Sequence, residues 1–285
     1  WCRPNLRPRA DHRDSLMGHI AVIGGGKIGE ALVAGLLAAG REPGRIRVVN
    51  RRPERGNYLH RTYHVGVSDS IEEVVHGADA VFICTKPKDV TSVLADPALQ
   101  DIGDDVAVVS MAAGITIATL EEALSAGTSV FRAMPNTPML ISKGVTALAP
   151  GRFTTEQQLD YITEILESVG IVVVVDEVDM DAVTAVAGSS PAYVFLLAEA
   201  LIDSGVSLGL SRELASTLAL ASIGGAADLM EQSSSEPSVL RANVSSPAGT
   251  TVAAVESLES SGFRAAFFKA TRACAERSAQ IGRRG

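Results

Sequence analysis

The chain has 285 residues, 46% of them hydrophobic and 20% charged, enough to bury one large core or two ordinary ones. A formal net charge of −8 argues against a nucleic-acid partner, and no uncharged apolar run reaches the roughly 18 residues that a membrane span needs. Cys2, Cys84 and Cys274 lie far apart, with neither metal-ligand spacing nor a disulfide framework, so a cytoplasmic protein without a metal is expected.

Residues 1–16 carry Arg3, Arg7, Arg9, Arg13, Pro4 and Pro8 without any apolar period. They read as a disordered leader or extension ahead of a start at Met17. A signal peptide would need an apolar centre. Ile20-Ala21-Val22-Ile23 is a strand-type run that stops at three glycines. A helical stripe then begins, with Ile28, Leu32, Leu36 and Leu37 on one face, and Gly40 ends it. Gly24, Gly26 and Gly29 have G-x-G-x-x-G spacing. The first serves a tight turn, the second close approach of a pyrophosphate, the third close packing of helix on strand. Lys27 and Ile28 open the helix, whose free N–H groups face the phosphates. The alternative is a glycine-rich turn that binds nothing.

A second strand at 46–49 runs into Asn50-Arg51-Arg52-Pro53. An acidic residue there would take the ribose 2′-hydroxyl and favour NAD. Two guanidiniums match a 2′-phosphate instead, so NADPH is preferred, with NADH as the alternative donor. The bland reading is a solvated basic turn. Further strands are expected at 63–67, 80–84, 106–110, 129–133, 144–149 and 171–175, and helices at 71–75 (capped by Ser70), 117–124 and 155–168. Thr85-Lys86-Pro87 leaves the carboxyl end of one strand, where ligands of parallel sheets bind, and Lys86 is set against an ordinary solvated lysine. Ala112 and Ala113 are small residues past which a ribose or nicotinamide fits. Asn136, in Met134-Pro135-Asn136-Thr137-Pro138, either holds the nicotinamide end or bonds backbone in a rigid turn.

From about residue 178 no strand pattern remains. Val194, Leu197, Ala198, Leu201 and Ile202 form one helical stripe, and 213–230 is apolar on more than one face. Such helices need partners on several sides, and so short a segment has little interior of its own, so a homodimer through these helices is expected. Asn243-Val244-Ser245-Ser246-Pro247-Ala248-Gly249-Thr250-Thr251 then gathers hydroxyls and free N–H groups at a helix start, a receptor for a small carboxylate. Alternatively Ser245 or Ser246 simply caps the helix.

Together these blocks resemble pyrroline-5-carboxylate reductase. Gly24-Gly25-Gly26-Lys27-Ile28-Gly29-Glu30-Ala31-Leu32, Met134-Pro135-Asn136-Thr137-Pro138, Gly188-Ser189-Ser190-Pro191-Ala192-Tyr193, and 243–251 continuing to Leu258-Glu259 occur in the family's order. The last is the most specific. The resemblance implies an α/β Rossmann dinucleotide-binding domain, 17–177, and an all-α dimerisation and substrate domain, 178–285. It implies NAD(P)H-dependent reduction of Δ1-pyrroline-5-carboxylate to L-proline, and a site completed by both chains of the dimer. It places Ser246, Ala248, Gly249, Thr250 and Thr251 around the substrate, with the Thr251 hydroxyl facing the imine nitrogen, and it suggests rings of dimers. The family commonly has glycine where Ser190 and Ala248 stand. Alanine is harmless in an ordinary backbone region, but not at positive φ.

Two other readings fit the glycine loop. One is a different imine or β-hydroxyacid reductase, whose lysine-dependent type is disfavoured because no lysine occurs between Lys143 and Lys269. The other is a non-catalytic NADP(H)-responsive protein, which would not need the hydroxyl-rich bend. His12, His19, His60, His64 and His76 lie outside the motifs and are assigned solvated or structural roles. Tyr193 is expected to pack and Asp181 to cap a helix.

Overall fold

The computed structural model describes residues 18–103 and 105–282. The leader expected at 1–16 lies outside the described residues. β1 (His19–Ile23) leads through the glycines into α1 (Lys27–Ala38), and β2 (Ile46–Val49) follows. α2 (Pro53–Tyr63) starts on a proline, whose missing N–H has no helical partner to lose in the first turn. The apolar pattern gives no sign of this helix, because Gly56 and Leu59 are the buried residues among its eleven. It ends at His64 in the left-handed region, and this moves the third strand: β3 is Gly66–Ser68, not 63–67.

α3 (Ile71–Val75) is capped by Ser70, whose hydroxyl accepts the Glu73 N–H at 3.3 Å. β4 (Ala78–Ile83), α4 (Pro87–Leu94), α5 (Pro97–Gln100), β5 (Ala107–Ser110), α6 (Ile117–Ala123) and β6 (Ser129–Met134) come next. β7 (Gly144–Pro150), α7 (Glu156–Glu167) and β8 (Gly170–Val174) close an eight-stranded sheet. Its order is β3-β2-β1-β4-β5-β6-β7-β8. β1 to β6 are parallel. β7 is antiparallel to β6 because a short 3₁₀ turn, Thr137–Ile141, joins them where a parallel pair would need a crossover helix. The strands are apolar on both faces because both are covered: Ile20 and Val22 pack with Leu32, Leu36 and Ile165, while Ala21 and Ile23 pack with Val74, Val90 and Leu120.

The remaining helices are α8 (Met180–Val183), α9 (Ser190–Ser207), α10 (Arg212–Gln232), α11 (Pro237–Asn243), α12 (Thr250–Ser260) and α13 (Phe263–Gly282). Two compact units result: 18–189 with 273–282, and 190–272. Strands stop at Val174, yet the sheet unit runs on to Ser189, because Met180 is fully buried against Ala147 and Ala149. The end of α13 joins that unit through Ser278, whose hydroxyl donates to Asp181 at 2.6 Å, and through Cys274, 3.1 Å from the Ser189 hydroxyl. Asp181 is thus a tie between segments, not the helix cap expected.

In the helical unit, among the described residues, the buried apolar side chains are Pro191, Ala198, Ala215 and Ala219, all on the contacting helices α9 and α10. Phe195, Leu196, Leu208 and Phe268 are all more than 60% exposed. Apolar surface on this scale marks an association face. The stretch Glu177–Ser207 is long and apolar enough to cross a membrane, by length and composition. Tyr193 packs edge-on against Phe267, ring centroids 6.2 Å apart.

Candidate active site

The strand order reverses between β1 and β4, and the carboxyl ends of both open onto one cleft, the crevice where parallel sheets bind nucleotides. Gly24 has φ +110° and donates its N–H to Val49, 3.0 Å away, closing the turn beside β2. A side chain at Gly29 would put Cβ 2.1 Å from the Gly24 carbonyl oxygen, so α1 reaches the loop only because no side chain is there. A Cβ at Gly26 would meet nothing within 4 Å: this glycine faces open space. The cap position of α1 makes no side-chain hydrogen bond, so its first N–H groups are left for a ligand.

The cleft has a volume of ≈ 1430 Å³ and gathers Gly24, Gly26, Asn50, Arg51, Arg52, Thr85 and Lys86. Asn50 donates to the Arg52 carbonyl at 2.8 Å and shapes the turn that presents the two arginines. Both are exposed, and Arg51 lies 3.8 Å from Asp89, a weak pair in solvent. Lys86 stands at the N-cap position of α4 and makes no side-chain cap, with Pro87 in the first turn. The Thr85 hydroxyl is buried without a hydrogen-bond partner among the described residues. An open glycine cradle, exposed guanidiniums and an orphaned hydroxyl are what a phosphorylated dinucleotide needs, so the residues fit one. Cys84, at the lip, has its thiol pushed up to about 12 by burial and is no nucleophile near neutral pH.

Lys27 and Ile28 form the first turn of α1, with Lys27 exposed and Ile28 packed on the core. Lys27, Ile28, Gly29, Pro87, Ala112, Ala113 and Asn136 do not line the cleft. Ala112 and Ala113 follow β5, the next strand over, where the Met111 N–H bonds to Ile83. Asn136 is 8% exposed, and its side chain is committed: Oδ1 accepts from the Val145 N–H at 2.9 Å, and Nδ2 donates to the Ala187 carbonyl at 3.1 Å. These bonds reach Val145 and Ala187 and not the backbone of its own turn, and each amide group keeps one further donor or acceptor position. His19 and His60 bond to the Val74 and Val65 carbonyls; burial above all lowers the pKa of His19.

One part of this half was not legible in sequence. Arg55, in the first turn of α2, donates Nε–H to the Gly25 carbonyl at 2.7 Å and pairs with Glu30 in the first turn of α1. Tyr63 donates to the other Glu30 oxygen at 3.0 Å, and the Arg55 guanidinium lies over Tyr58, 4.9 Å from its centroid. Burial pushes the Glu30 carboxyl up, but hydrogen bonds from Arg55, Tyr58 and Tyr63 outweigh it and hold it below the usual range.

In the helical unit, α12 starts at Gly249 with no side-chain cap. Ser245 donates to the Arg241 carbonyl at 2.7 Å, so it does not cap, and Ser246 makes no side-chain cap either. The N–H groups of Thr250, Thr251 and Val252, and the hydroxyls of Ser246, Thr250 and Thr251, have no partner among the described residues. Ser246 and Thr250 are exposed and Thr251 half-buried. Free N–H groups and hydroxyls at a helix start are able to take an anion.

A family profile described as "Pyrroline-5-carboxylate reductase dimerisation" matches residues 177–281, and one described as "NADP oxidoreductase coenzyme F420-dependent" matches 19–114. A pyrroline-5-carboxylate reductase of Corynebacterium melassecola is 52% identical, over 93% of this chain and 98% of its own. The chain belongs to the pyrroline-5-carboxylate reductase family. It is an oxidoreductase with a nicotinamide-dinucleotide domain, and its dimerisation domain makes it an oligomer. A solved pyrroline-5-carboxylate reductase of Coxiella burnetii superposes with TM-score 0.88 at 32% identity, covering 93% of this chain and 98% of that one. A solved Plasmodium falciparum pyrroline carboxylate reductase with NADP bound superposes with TM-score 0.83 at 30% identity, covering 94% and 99%.

Against the reductase family's usual glycine, Ala248 carries a cost. The Gly249 N–H bonds to the Ser246 carbonyl at 2.9 Å, closing a turn with Pro247 second and Ala248 third. Ala248 has φ +58°. Proline fixes negative φ at the second position, so the turn is type II, which favours glycine third. Left-handed alanine costs roughly 1–2 kcal/mol, and glycine's extra unfolded freedom returns about half of that. Ala248→Gly is therefore expected to raise stability by about 0.5–1 kcal/mol, and Ala248→Val to lower it, in paired thermal and chemical unfolding. Equal stability of all three would mean the turn relaxes to negative φ.

Proposed function

We propose that the chain reduces Δ1-pyrroline-5-carboxylate to L-proline, with NADPH preferred to NADH. What supports this reading above all is the Ser246–Thr251 bend: an uncapped helix start with free N–H groups and hydroxyls, in a chain that also has a phosphate-ready glycine loop. A non-catalytic dinucleotide sensor has no use for that bend.

A bound reduced nicotinamide supplies the hydride. The residues of the chain do the rest. The N–H groups of Thr250, Thr251 and Val252 hold the substrate carboxylate, and the Ser246 and Thr250 hydroxyls complete its cradle. This fixes the ring, so that the C5 carbon of its C=N bond takes the hydride while the nitrogen becomes a ring amine. The Thr251 hydroxyl faces that nitrogen and bonds to it as its charge changes. The proton arrives with the iminium or from water, so no strong side-chain acid is required. Gly26 and the start of α1 seat the pyrophosphate, and Arg51 and Arg52 take the 2′-phosphate.

A second copy covers the exposed faces of α9, α10 and α13 and completes each site, and such dimers assemble into rings. Covered this way, α9 is an interface helix of a cytoplasmic enzyme, and the apolar stretch 177–207 is not a membrane span. Oxidation of NADPH only when pyrroline-5-carboxylate is added, followed by absorbance, tests the reaction. Turnover with a β-hydroxyacid instead would overturn it.

For the cofactor, Arg51→Gln with Arg52→Gln is expected to lower kcat/KM with NADPH by about 10- to 100-fold, each charge-assisted contact being worth roughly 1.5–3 kcal/mol less exposure losses. The value with NADH should move less than about two-fold, since that ribose has no phosphate to lose. Parallel loss with both donors would remove the 2′-phosphate from these arginines.

A further inference from the structure

The Arg55 cluster has no part in the reaction outlined above, yet it grips the glycine loop from behind. Gly25 is buried, and its carbonyl accepts from Arg55 Nε at 2.7 Å. A planar trans peptide whose carbonyl is tethered cannot rotate, so the N–H that follows it, at Gly26, is held on the side opposite Arg55, in a loop whose Gly26 borders open space. Glu30 lies one helical turn beyond Gly26 and is ionised, and its own N–H bonds to the Gly26 carbonyl at 2.9 Å. A bare carboxylate there opposes the two negative charges of a pyrophosphate at the same helix start. Arg55 cancels it, and Tyr63 and Tyr58 hold the pair in a half-buried pocket where screening is weak.

We propose that Arg55 is a positioning residue for the dinucleotide: it locks the glycine loop by the Gly25 carbonyl and neutralises Glu30, so that the loop presents its N–H groups to the pyrophosphate without a competing charge. The inference rests on the glycine loop being the dinucleotide seat. Because the pyrophosphate is common to both donors, the effect is blind to the 2′-phosphate, unlike that of Arg51 and Arg52.

The test uses the full-length oligomer with NADPH and NADH in separate titrations, by cofactor fluorescence and by steady-state kinetics. Arg55→Met is expected to raise Kd and KM by about ten-fold for both donors, the loss of one charged hydrogen bond, with kcat within about two-fold. Adding Glu30→Gln to Arg55→Met should recover about three-fold of that affinity, the share set by the stranded charge, while the share set by the lost Gly25 tether stays lost; no merely structural role predicts such partial rescue. Unchanged Kd with a lowered Tm would overturn the proposal, as would a double variant no better than the single one. Loss confined to NADPH would make Arg55 a direct 2′-phosphate ligand instead. Failure of the unaltered protein to bind either donor would sink the dinucleotide seat itself, a result distinct from all of these.

Discussion

Gly29→Ala is expected to abolish useful NADPH binding, raising Kd by at least about 100-fold, whereas Gly26→Ala should weaken binding without touching the fold. The two glycines stand three residues apart and would be treated alike by any rule that merely counts glycines. Their surroundings differ. The added methyl at Gly29 would lie 2.1 Å from the Gly24 carbonyl oxygen and 3.3 Å from Val22 Cγ1. Neither a backbone oxygen nor a central strand can step aside, so α1 must move away from the loop. Its free N–H groups then leave the phosphates, and losing two charge-assisted hydrogen bonds at roughly 1.5–3 kcal/mol each gives that factor. Overpacking adds about 1–3 kcal/mol of lost stability, visible as a lower Tm. At Gly26 the backbone has φ −73°, which alanine adopts freely, and the methyl enters open space. Its obstruction appears only when a pyrophosphate arrives. Calorimetric titration with NADPH beside thermal melts of both variants checks this. A Gly29→Ala protein that binds normally would mean that the close helix–strand approach has no part in seating the cofactor.

The sheet was legible where apolar residues dominate a short run: 20–23 is unbroken and lies within β1, while 46–49 and 129–133, each interrupted by an arginine, match β2 and lie within β6. It was less legible at the rim. α2 shows the reason: Pro53-Glu54-Arg55-Gly56-Asn57-Tyr58 has almost no apolar face, since one side meets solvent and the other meets the glycine loop through polar groups. A helix that packs by hydrogen bonds leaves no stripe. The same blindness hid the Arg55–Glu30 pair, whose partners are 25 residues apart with no local pattern joining them. Asn136 shows the converse. An amide able to donate and accept was legible as a polar anchor, but whether it bonds a ligand or the Val145 and Ala187 backbone depends on which strands lie beside it. The antiparallel turn of β7 decides that, and no residue-level signal announces it. The free donors at the start of α12 were legible because their chemistry is local: they belong to the first turn of one helix.

Thr251→Ala is expected to lower kcat by about 100-fold while leaving Kd for NADPH unchanged, the low end for a preorganised hydrogen bond to a charge that changes in the transition state. Thr251 is the second residue of α12, half-buried where Thr250 beside it is exposed, and its β-branched side chain has few rotamers in a helix. The N–H of residue 251 survives the substitution. The carboxylate seat therefore remains, and KM for pyrroline-5-carboxylate should change less than about three-fold, a shift under 1 kcal/mol. On the proposed reading, what disappears is a hydrogen bond to the imine nitrogen, the atom whose charge changes most as hydride adds to its neighbour. A contact that strengthens between bound substrate and transition state acts on kcat and not on KM. Thr251→Ser keeps the hydroxyl and should retain turnover to within about ten-fold, the loss reflecting a freer rotamer. If Thr251→Ala instead raised KM with kcat intact, the hydroxyl would belong to the carboxylate seat, and the nitrogen would draw its proton without help from this helix. If neither constant moved, α12 would not be the wall of the site against which the imine is reduced.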